Sequence, residues 1–562
     1  MQRNNQFTPP PALYLTLAEF RQACLLFIVL LFISSALCSA PVSEDSVLRS
    51  IFPPAYEKNV ALSDDIREPI TSSVREVEFF NPAVAALPFK RNKQPGQQSK
   101  MASRQLSNSS AVLPTTLALT MLNQMNISNT TREDAEPSIV AVDKSGTTLI
   151  STAYIGDAVF SPGGDTGRIR QHTRDYFTWQ TNTVVLSRTV NGMLYSNSVD
   201  PYTTVNPYTS GVHPKRLYTI GLLTNDFGPA KRAIVVWRSD NPMTSWSAPV
   251  VLEESNTGSY QLDKPHIAVS WYWRTRGRIF AAYSRLKKGN DRIIIKVSSD
   301  GGQTFTNPIN PATGNPSNNP IVINTGSTSN YQLGVYLVVS PYSGKLFAFW
   351  TDFDANQIRW SMSSNQGFSW TPASVFANAS DRFNKMVGQP TLNGSIRAPS
   401  LLAARYNWPA GEIDVVWHEC NAQSSGHGCP TETDVFYARL VCINASNCVT
   451  TPVRINDVTT GDQFMPALDF NAAGNLMVTF YDRRNDLANN RYQLFSAWIN
   501  RFGQNLQPNE VASSFQSDLN AGFLGDYHET YSHTISGTEH FFSAWIGVTG
   551  GQKDAYVSEL LP

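Results

Sequence analysis

The feature that most constrains this chain is a repeat. From Glu136 onward the phrases Glu136-Pro137-Ser138-Ile139, Asp200-Pro201-Tyr202, Lys264-Pro265-His266-Ile267, Leu333-Gly334-Val335-Tyr336, Ala398-Pro399-Ser400-Leu401, Met465-Pro466-Ala467-Leu468 and Gly525-Asp526-Tyr527-His528 each open an apolar stretch. With Pro137, Pro201, Pro265, Val335, Pro399, Pro466 and Asp526 as anchors, successive spacings are 64, 64, 70, 64, 67 and 60 residues. A steady period of this length belongs to a solenoid or a propeller, where each unit buries its apolar faces against its neighbours.

Each unit carries a second apolar run ending in an aromatic. Ile279-Phe280-Ala281-Ala282-Tyr283, Leu346-Phe347-Ala348-Phe349-Trp350, Ile413-Asp414-Val415-Val416-Trp417, Leu476-Met477-Val478-Thr479-Phe480-Tyr481 and Phe541-Phe542-Ser543-Ala544-Trp545 are examples. A third strand leads into a tight turn and a fourth closes the unit, as in Ala248-Pro249-Val250-Val251-Leu252. Four antiparallel strands make a propeller blade. The last unit has room for only three strands after Asp526, and Leu122 to Ser128 can supply the fourth, which removes the open edge. The expected fold is all-β: one closed β-propeller of seven four-stranded blades over 120–562, with six blades as the alternative.

The third-to-fourth turn is clearest at Ser298-Ser299-Asp300-Gly301-Gly302-Gln303-Thr304-Phe305, where a β-branched run meets tight-turn chemistry. Degenerate copies are Ser239 to Trp246 and Ser363 to Trp370, with a poor one at Ser187 to Gly192. The form Ser-x-Asp-x-Gly-x-Thr-aromatic, together with the repeat, resembles the Asp-box propellers of the sialidase (neuraminidase) superfamily, the chain being sialidase-like rather than a clear sialidase. Met465-Pro466-Ala467-Leu468-Asp469-Phe470, Phe480-Tyr481-Asp482-Arg483-Arg484-Asn485-Asp486 and Leu524-Gly525-Asp526-Tyr527 look like secreted proteins of that kind. The resemblance implies a substrate carboxylate held by three arginines, the first in an Arg-Ile-Pro sequence, a Tyr nucleophile backed by a Glu, and an Asp acid/base. No Arg-Ile-Pro occurs here. Its nearest match is Arg397-Ala398-Pro399, and Glu136 stands where the first unit would carry Arg.

Blade topology sorts the loops. Strands alternate in direction, so the segment before each inner strand and the second-to-third loop share one face, while the Asp-box turn lies on the other. The first face should gather Glu136, Asp200, Asp263, Lys264, Arg397, Asp462 and Asp526, with Asp157, Asp226, Arg285, Asp352, Asp354, His418, Glu419, Asp482, Arg483, Arg484 and Asp486 from the second loops. Carboxylates with a few guanidinia suit polyhydroxylated ligands and glycosidase acid/base pairs. Glu419, Asp482 and Tyr481 are the catalytic candidates; Arg397, Arg483, Arg484, Asp526, Glu136 and Asp263 are the substrate-binding ones. No cofactor is expected, although calcium would suit the same oxygens. The alternative to a hydrolase is a non-catalytic extracellular propeller that binds carbohydrate or protein.

The chain has 562 residues, with 44 Lys and Arg against 44 Asp and Glu, and nothing in that balance favours nucleic acid. Arg21 followed by the apolar run Cys24 to Leu37 and small residues at 38–40 reads as a signal peptide over 1–40, or a signal anchor. Residues 41–119 read as a low-order extension or pro-segment. The protein is expected outside the cell, acting on glycans, and on a membrane only if the leader is uncleaved, as a type II anchor. Cys420, Cys429, Cys442 and Cys448 form an even set suited to two disulfides. Three pairings are open, and Cys420–Cys429 with Cys442–Cys448 closes the two most local loops. Sequons stand at Asn108, Asn126, Asn129, Asn378, Asn393 and Asn444.

Overall fold

The computed structural model describes residues 120–562, apart from short internal segments such as 209–213, 226–230, 384–391, 421–431 and 442–448. The expectations for the targeting segment, the extension, Asn108, Asn129, Asn393, Asn444, Cys429, Cys442 and Cys448 lie outside the described residues.

Seven antiparallel sheets form the blades of one propeller. Their inner strands are Glu133–Lys144, Asn197–Val205, Gln261–Val269, Gln332–Val339, Ala403–Asn407, Gln463–Phe470 and Glu529–Ile535. Each inner strand touches the next, and the seventh touches the first. Blades 2 to 6 run outward in chain order. Blade 7 takes its outermost strand from the other end of the described chain: Thr120–Asn126 pairs antiparallel with Gln552–Leu561, Thr120 facing Leu561 and Asn126 facing Tyr556. The ring therefore leaves no exposed edge at its seam.

The anchor residues have a structural meaning that spacing alone did not show. In blades 1, 2, 3, 4 and 6 the inner strand breaks register at the anchor. The residue just before it is left-handed: Glu136 (φ 52°), Asp200 (54°), Lys264 (43°), Gly334 (72°) and Met465 (48°). Four of these carry a Cβ and sit in a conformation costing of order 1–2 kcal/mol. A bulge of this kind re-aims a side chain, and here it turns Glu136, Asp200 and Lys264 toward one point.

The aromatic near the end of the second strand is fully buried in five blades: Tyr283, Trp350, Trp417, Phe480 and Trp545. It fills the space between sheets.

The Asp-box of blade 3 is a turn staple. Asp300 Oδ1 accepts from the amides of Gln303 and Thr304, each at 3.0 Å, while Ser298 Oγ accepts from Gly302 N at 2.9 Å. The same pattern recurs in blade 4, where Gly367 N donates to Ser363 Oγ and Ser369 N to Asn365 Oδ1, both at 2.9 Å. No strand starts at Phe305, directly after the turn. Only a single bridge joins Val297 to Thr306, and the outer strand forms later, at Ile321–Val322. Ser187 to Gly192 belongs to a small separate hairpin, Thr189–Val190 with Met193–Leu194.

Candidate functional site

At the mouth of the channel Lys264 is the hub. Its Nζ lies 3.2 Å from Glu136 Oε1 and 2.6 Å from Asp526 Oδ2, and it also pairs with Asp200. Arg397 NH2 reaches the same Asp526 oxygen at 2.7 Å. Glu136, Asp200, Lys264 and Asp526 are buried. One network thus joins blades 1, 2, 3 and 7 with the segment that precedes the inner strand of blade 5. Asp263 adjoins it, half-buried, with Oδ1 accepting from Lys264 N at 2.8 Å.

Burial sets the electrostatics here. It drives the Glu136 carboxyl well above the usual carboxylate range, and Asp200 and Asp526 push the same way against Lys264. Burial would also raise Asp526, but Arg397 and Lys264 together hold it below its ordinary value. Burial, with Asp200 beside it, lifts Asp263 to about 6. Burial alone would lower the Lys264 ammonium; Asp200, Asp526 and Glu136 overcome it and keep it charged. One oxygen from each of Glu136, Asp200 and Asp526 lies within 4.8 Å of the others, a spacing that would suit a cation such as calcium. The Lys264 ammonium already supplies the positive charge at that point.

Behind this layer the channel contains a cavity of about 50 Å³, enough for several waters. Its walls include Tyr202, His266, Tyr336, Arg405 and Glu529. His266 lies between the two tyrosine rings, 4.0 Å from each centroid, and the two tyrosine hydroxyls are hydrogen-bonded to each other. Arg405 donates from NH1 to Tyr202 Oη at 3.1 Å and from NH2 to Glu529 Oε1 at 2.7 Å. Its Nε faces Asp469 at 3.7 Å. His266 Nδ1 accepts from Leu337 N at 3.2 Å, which leaves the ring proton on Nε2. Burial first, and then Arg405, keep this imidazole neutral. Among the described residues His266 Nε2, Asp526 Oδ1 and His528 Nδ1, all on the cavity wall, have no hydrogen-bond partner. The cavity therefore offers an orphan donor at His266, an orphan acceptor at Asp526 and an unpaired ring nitrogen at His528, which a polar ligand or ordered water would satisfy.

The structure brings Glu136, Asp263, Arg397 and Asp526 together. It does not bring the other candidates to that point. Tyr481 is enclosed between Phe464, Tyr492 and His528, and its hydroxyl accepts from Ile546 N at 2.9 Å. By register it matches Thr351 of blade 4, one residue after the repeating aromatic, which in this blade is Phe480. Asp482 is buried under Arg484, which holds Oδ2 at 2.7 Å through NH2. Glu419 is buried and accepts from Trp417 Nε1 at 2.7 Å. Arg483 pairs with Asp462 at 2.7 Å, and Arg484 with Asp457 at 2.5 Å as well as Asp482. With Arg397 on Asp526, each of the three arginines is paired with an acid, and the expected three-arginine clamp is not assembled.

The residues missed were those lining the cavity. Tyr202, His266 and Tyr336 each follow an anchor by one position in three consecutive blades, a periodic polar-aromatic signal present in the sequence. Elsewhere, Cys420 is buried and takes part in a disulfide. The pairing itself lies outside the described residues. Asn378 is exposed on an outer strand, whereas Asn126 Nδ2, where a glycan would attach, donates to Asp554 at 2.6 Å.

No family model and no curated protein matches the sequence. Solved structures with a similar chain path include an α-L-arabinanase of Penicillium chrysogenum complexed with arabinobiose, 11% identical with a TM-score of 0.43, covering 78% of this chain and 98% of that one. Another is the leech intramolecular trans-sialidase, 11% identical with a TM-score of 0.41, covering 69% and 68%. A third is a PL25 ulvan lyase, 9% identical with a TM-score of 0.42, covering 77% and 95%. At such identities and scores these likenesses say nothing of substrate or chemistry, and the blade count rests on the strand pairing above.

Proposed function

We propose that the chain is an extracellular, glycan-directed propeller that binds its ligand in the channel rather than hydrolysing it. The observation that carries this reading is the cavity behind Lys264. It is walled by Tyr202, His266 and Tyr336 and holds three unsatisfied polar atoms, on His266, Asp526 and His528. Aromatic faces beside a few fixed polar atoms suit a sugar, whose ring faces are apolar and whose edges are hydroxyls. Pairing of Arg397, Arg483 and Arg484 with acids supports binding over sialidase-type catalysis.

Hydrolysis is the second reading, and one observation favours it. Glu136 and Asp526 share Lys264 but are pushed in opposite directions, one toward the acid form and one toward the carboxylate. Such a split is what a general acid and its partner need.

Purified protein should be titrated with an oligosaccharide panel and incubated with fluorogenic sialosides and arabinosides. The expected result is saturable binding of at least one glycan, lost in His266→Phe, with no turnover. Turnover that disappears in Glu136→Gln would replace the first reading by the second. Neither binding nor turnover would remove both.

A further inference from the structure

On the face opposite the mouth, the loops that join first to second strands line up their aromatics. In blade 3 this loop reads Ser270-Trp271-Tyr272-Trp273-Arg274-Thr275-Arg276-Gly277-Arg278. Trp271 is 52% exposed and Trp273 62%. The corresponding loops of blades 4 and 5 present Tyr342, 53% exposed, and Trp408, 37% exposed. Isolated exposed aromatics are ordinary on a protein surface; these are linked to one another. Tyr208 of blade 2 donates its hydroxyl to Trp271 O at 2.5 Å, and Tyr342 does the same to Trp408 O at 3.0 Å. Tyr272 packs flush on Gly344 of the next blade, where a Cβ would come within 2.3 Å of the ring. The four loops thus form a continuous row across blades 2 to 5.

The central loop is held in shape. Ser270 Oγ accepts from Tyr272 N at 3.2 Å and bonds Thr275 Oγ1 at 2.7 Å, and Arg278 N donates to Thr275 O at 2.9 Å. A single 3-10 turn, Trp273–Thr275, follows Trp271 and Tyr272 within the loop. Order of this kind reduces the entropy lost on binding.

The row is also basic. Guanidinia sit on its rings: Arg274 lies 4.7 Å from the Trp273 centroid and Arg276 3.9 Å from that of Tyr208. Residues 206–216, 270–278 and 340–345 contain no Asp or Glu. The one acid at its end, Glu412, is paired with Arg439 at 2.9 Å.

We infer that this face is a second binding site, for an anionic polysaccharide. Trp271, Trp273, Tyr342 and Trp408 stack on sugar rings, and Arg274 and Arg276 take the sulfate or carboxylate groups as charge-assisted forks. The exposed rings favour sugar over a bare phosphate or small anion, and the basic charge favours an acidic chain over a neutral one. The site shares no residue with the channel, so its test is separate from that of the channel ligand.

The test is affinity electrophoresis and titration of the whole protein with dextran sulfate, with neutral dextran as control. The expected result is retardation by dextran sulfate only, weakening as salt rises. Trp271→Ala/Trp273→Ala should bind at least roughly tenfold more weakly, as loss of central aromatic anchors does elsewhere. Arg274→Ala/Arg276→Ala should reduce the salt dependence, with partial recovery in the Lys versions. Both pairs are exposed, and unchanged melting temperatures would show that the fold is intact. Equal binding of wild type and variants would overturn the assignment. So would equal binding to neutral dextran, or retention of a protein partner with no affinity for the polymer.

Discussion

Lys264 Nζ lies 2.6 Å from Asp526 Oδ2, so a single ion pair spans the channel from blade 3 to blade 7. Lys264 lies on the inner strand of blade 3 and Asp526 just before that of blade 7, and both are enclosed. The strained bulge at Lys264 is what lets the ammonium reach three acids at once. Backbone strain, charge burial and ring closure therefore meet in one residue.

Lys264→Met should be strongly destabilising. The variant keeps the side-chain length but leaves Glu136, Asp200 and Asp526 without their shared cation. Removing one partner of a buried ionic set costs about 3–5 kcal/mol. Glu136→Gln added to Lys264→Met should recover part of that loss, because it removes one uncompensated acid. Guanidinium unfolding of the single and double variants measures this. A single variant within about 1 kcal/mol of wild type would show that the network is not structural.

Asp134 gives the pH dependence a testable sign. It lies at the closure seam, where Oδ2 accepts from Ala555 N at 3.2 Å. Burial pushes its carboxyl up to about 8. The folded chain then keeps a proton that the unfolded chain releases near pH 4. Its contribution to stability is fully present below about pH 4 and is lost as pH rises through about 8. Asp134→Asn removes the titration and retains an acceptor oxygen. Wild type should therefore lose stability relative to the variant as pH rises across this window. Urea midpoints that run parallel at all pH values would count against it.

Ring closure predicts a dependence on Thr120–Asn126. A chain beginning at residue 130 leaves Gln552–Leu561 as an open edge strand. Such edges pair with other molecules. This chain should aggregate in light scattering, whereas one beginning at 118 should stay monodisperse. Adding a peptide of residues 118–128 should suppress the aggregation. An equally soluble truncated chain would mean that the seam does not need the strand.

Much of the fold was legible because each blade rewrites the same alternation. The spacing of the anchors located the seven inner strands, though in five of them the anchor falls at an internal bulge rather than at the strand's start. The site was less legible, for a physical reason. Lys264 finds Asp200 64 residues away and Glu136 128 residues away, and the register that brings them together depends on bulges with left-handed residues before proline. Sequence spacing placed these charges on one face without saying which neutralises which. Tyr481 reads as catalytic beside its charged neighbours Asp482, Arg483 and Arg484, whereas its ring is enclosed by Phe464, Tyr492 and His528 from three other strands and loops. The channel's polar aromatics went unread because each stands singly, and only the ring sets Tyr202, His266 and Tyr336 side by side.

Asp300 carries the last prediction. Its carboxylate holds the turn through Gln303 N, Thr304 N and Thr304 Oγ1. Burial alone would raise its pKa, but these donors, with Ser298, together hold it below the ordinary value. The turn is also a docking element: Arg216 NH1 and Arg238 NH1 of blade 2 donate to the carbonyls of Gly301 and Gly302, both at 3.0 Å. A Cβ on Gly302, whose φ is +79°, would meet the Tyr218 ring at 3.0 Å. Asp300→Ala should thus loosen the contact between blades 2 and 3 and cost about 1–3 kcal/mol, the range for hydrogen bonds to a charged group. With a depressed folded pKa, the stabilisation is present at neutral pH and fades as the pH falls through the carboxylate range. Asp300→Asn should recover part of it, since Asn365 performs the same task in blade 4. Ligand binding in the channel should be unchanged, because the turn lies on the other face. A variant of normal stability that has lost ligand binding would assign the Asp-box a role in recognition instead.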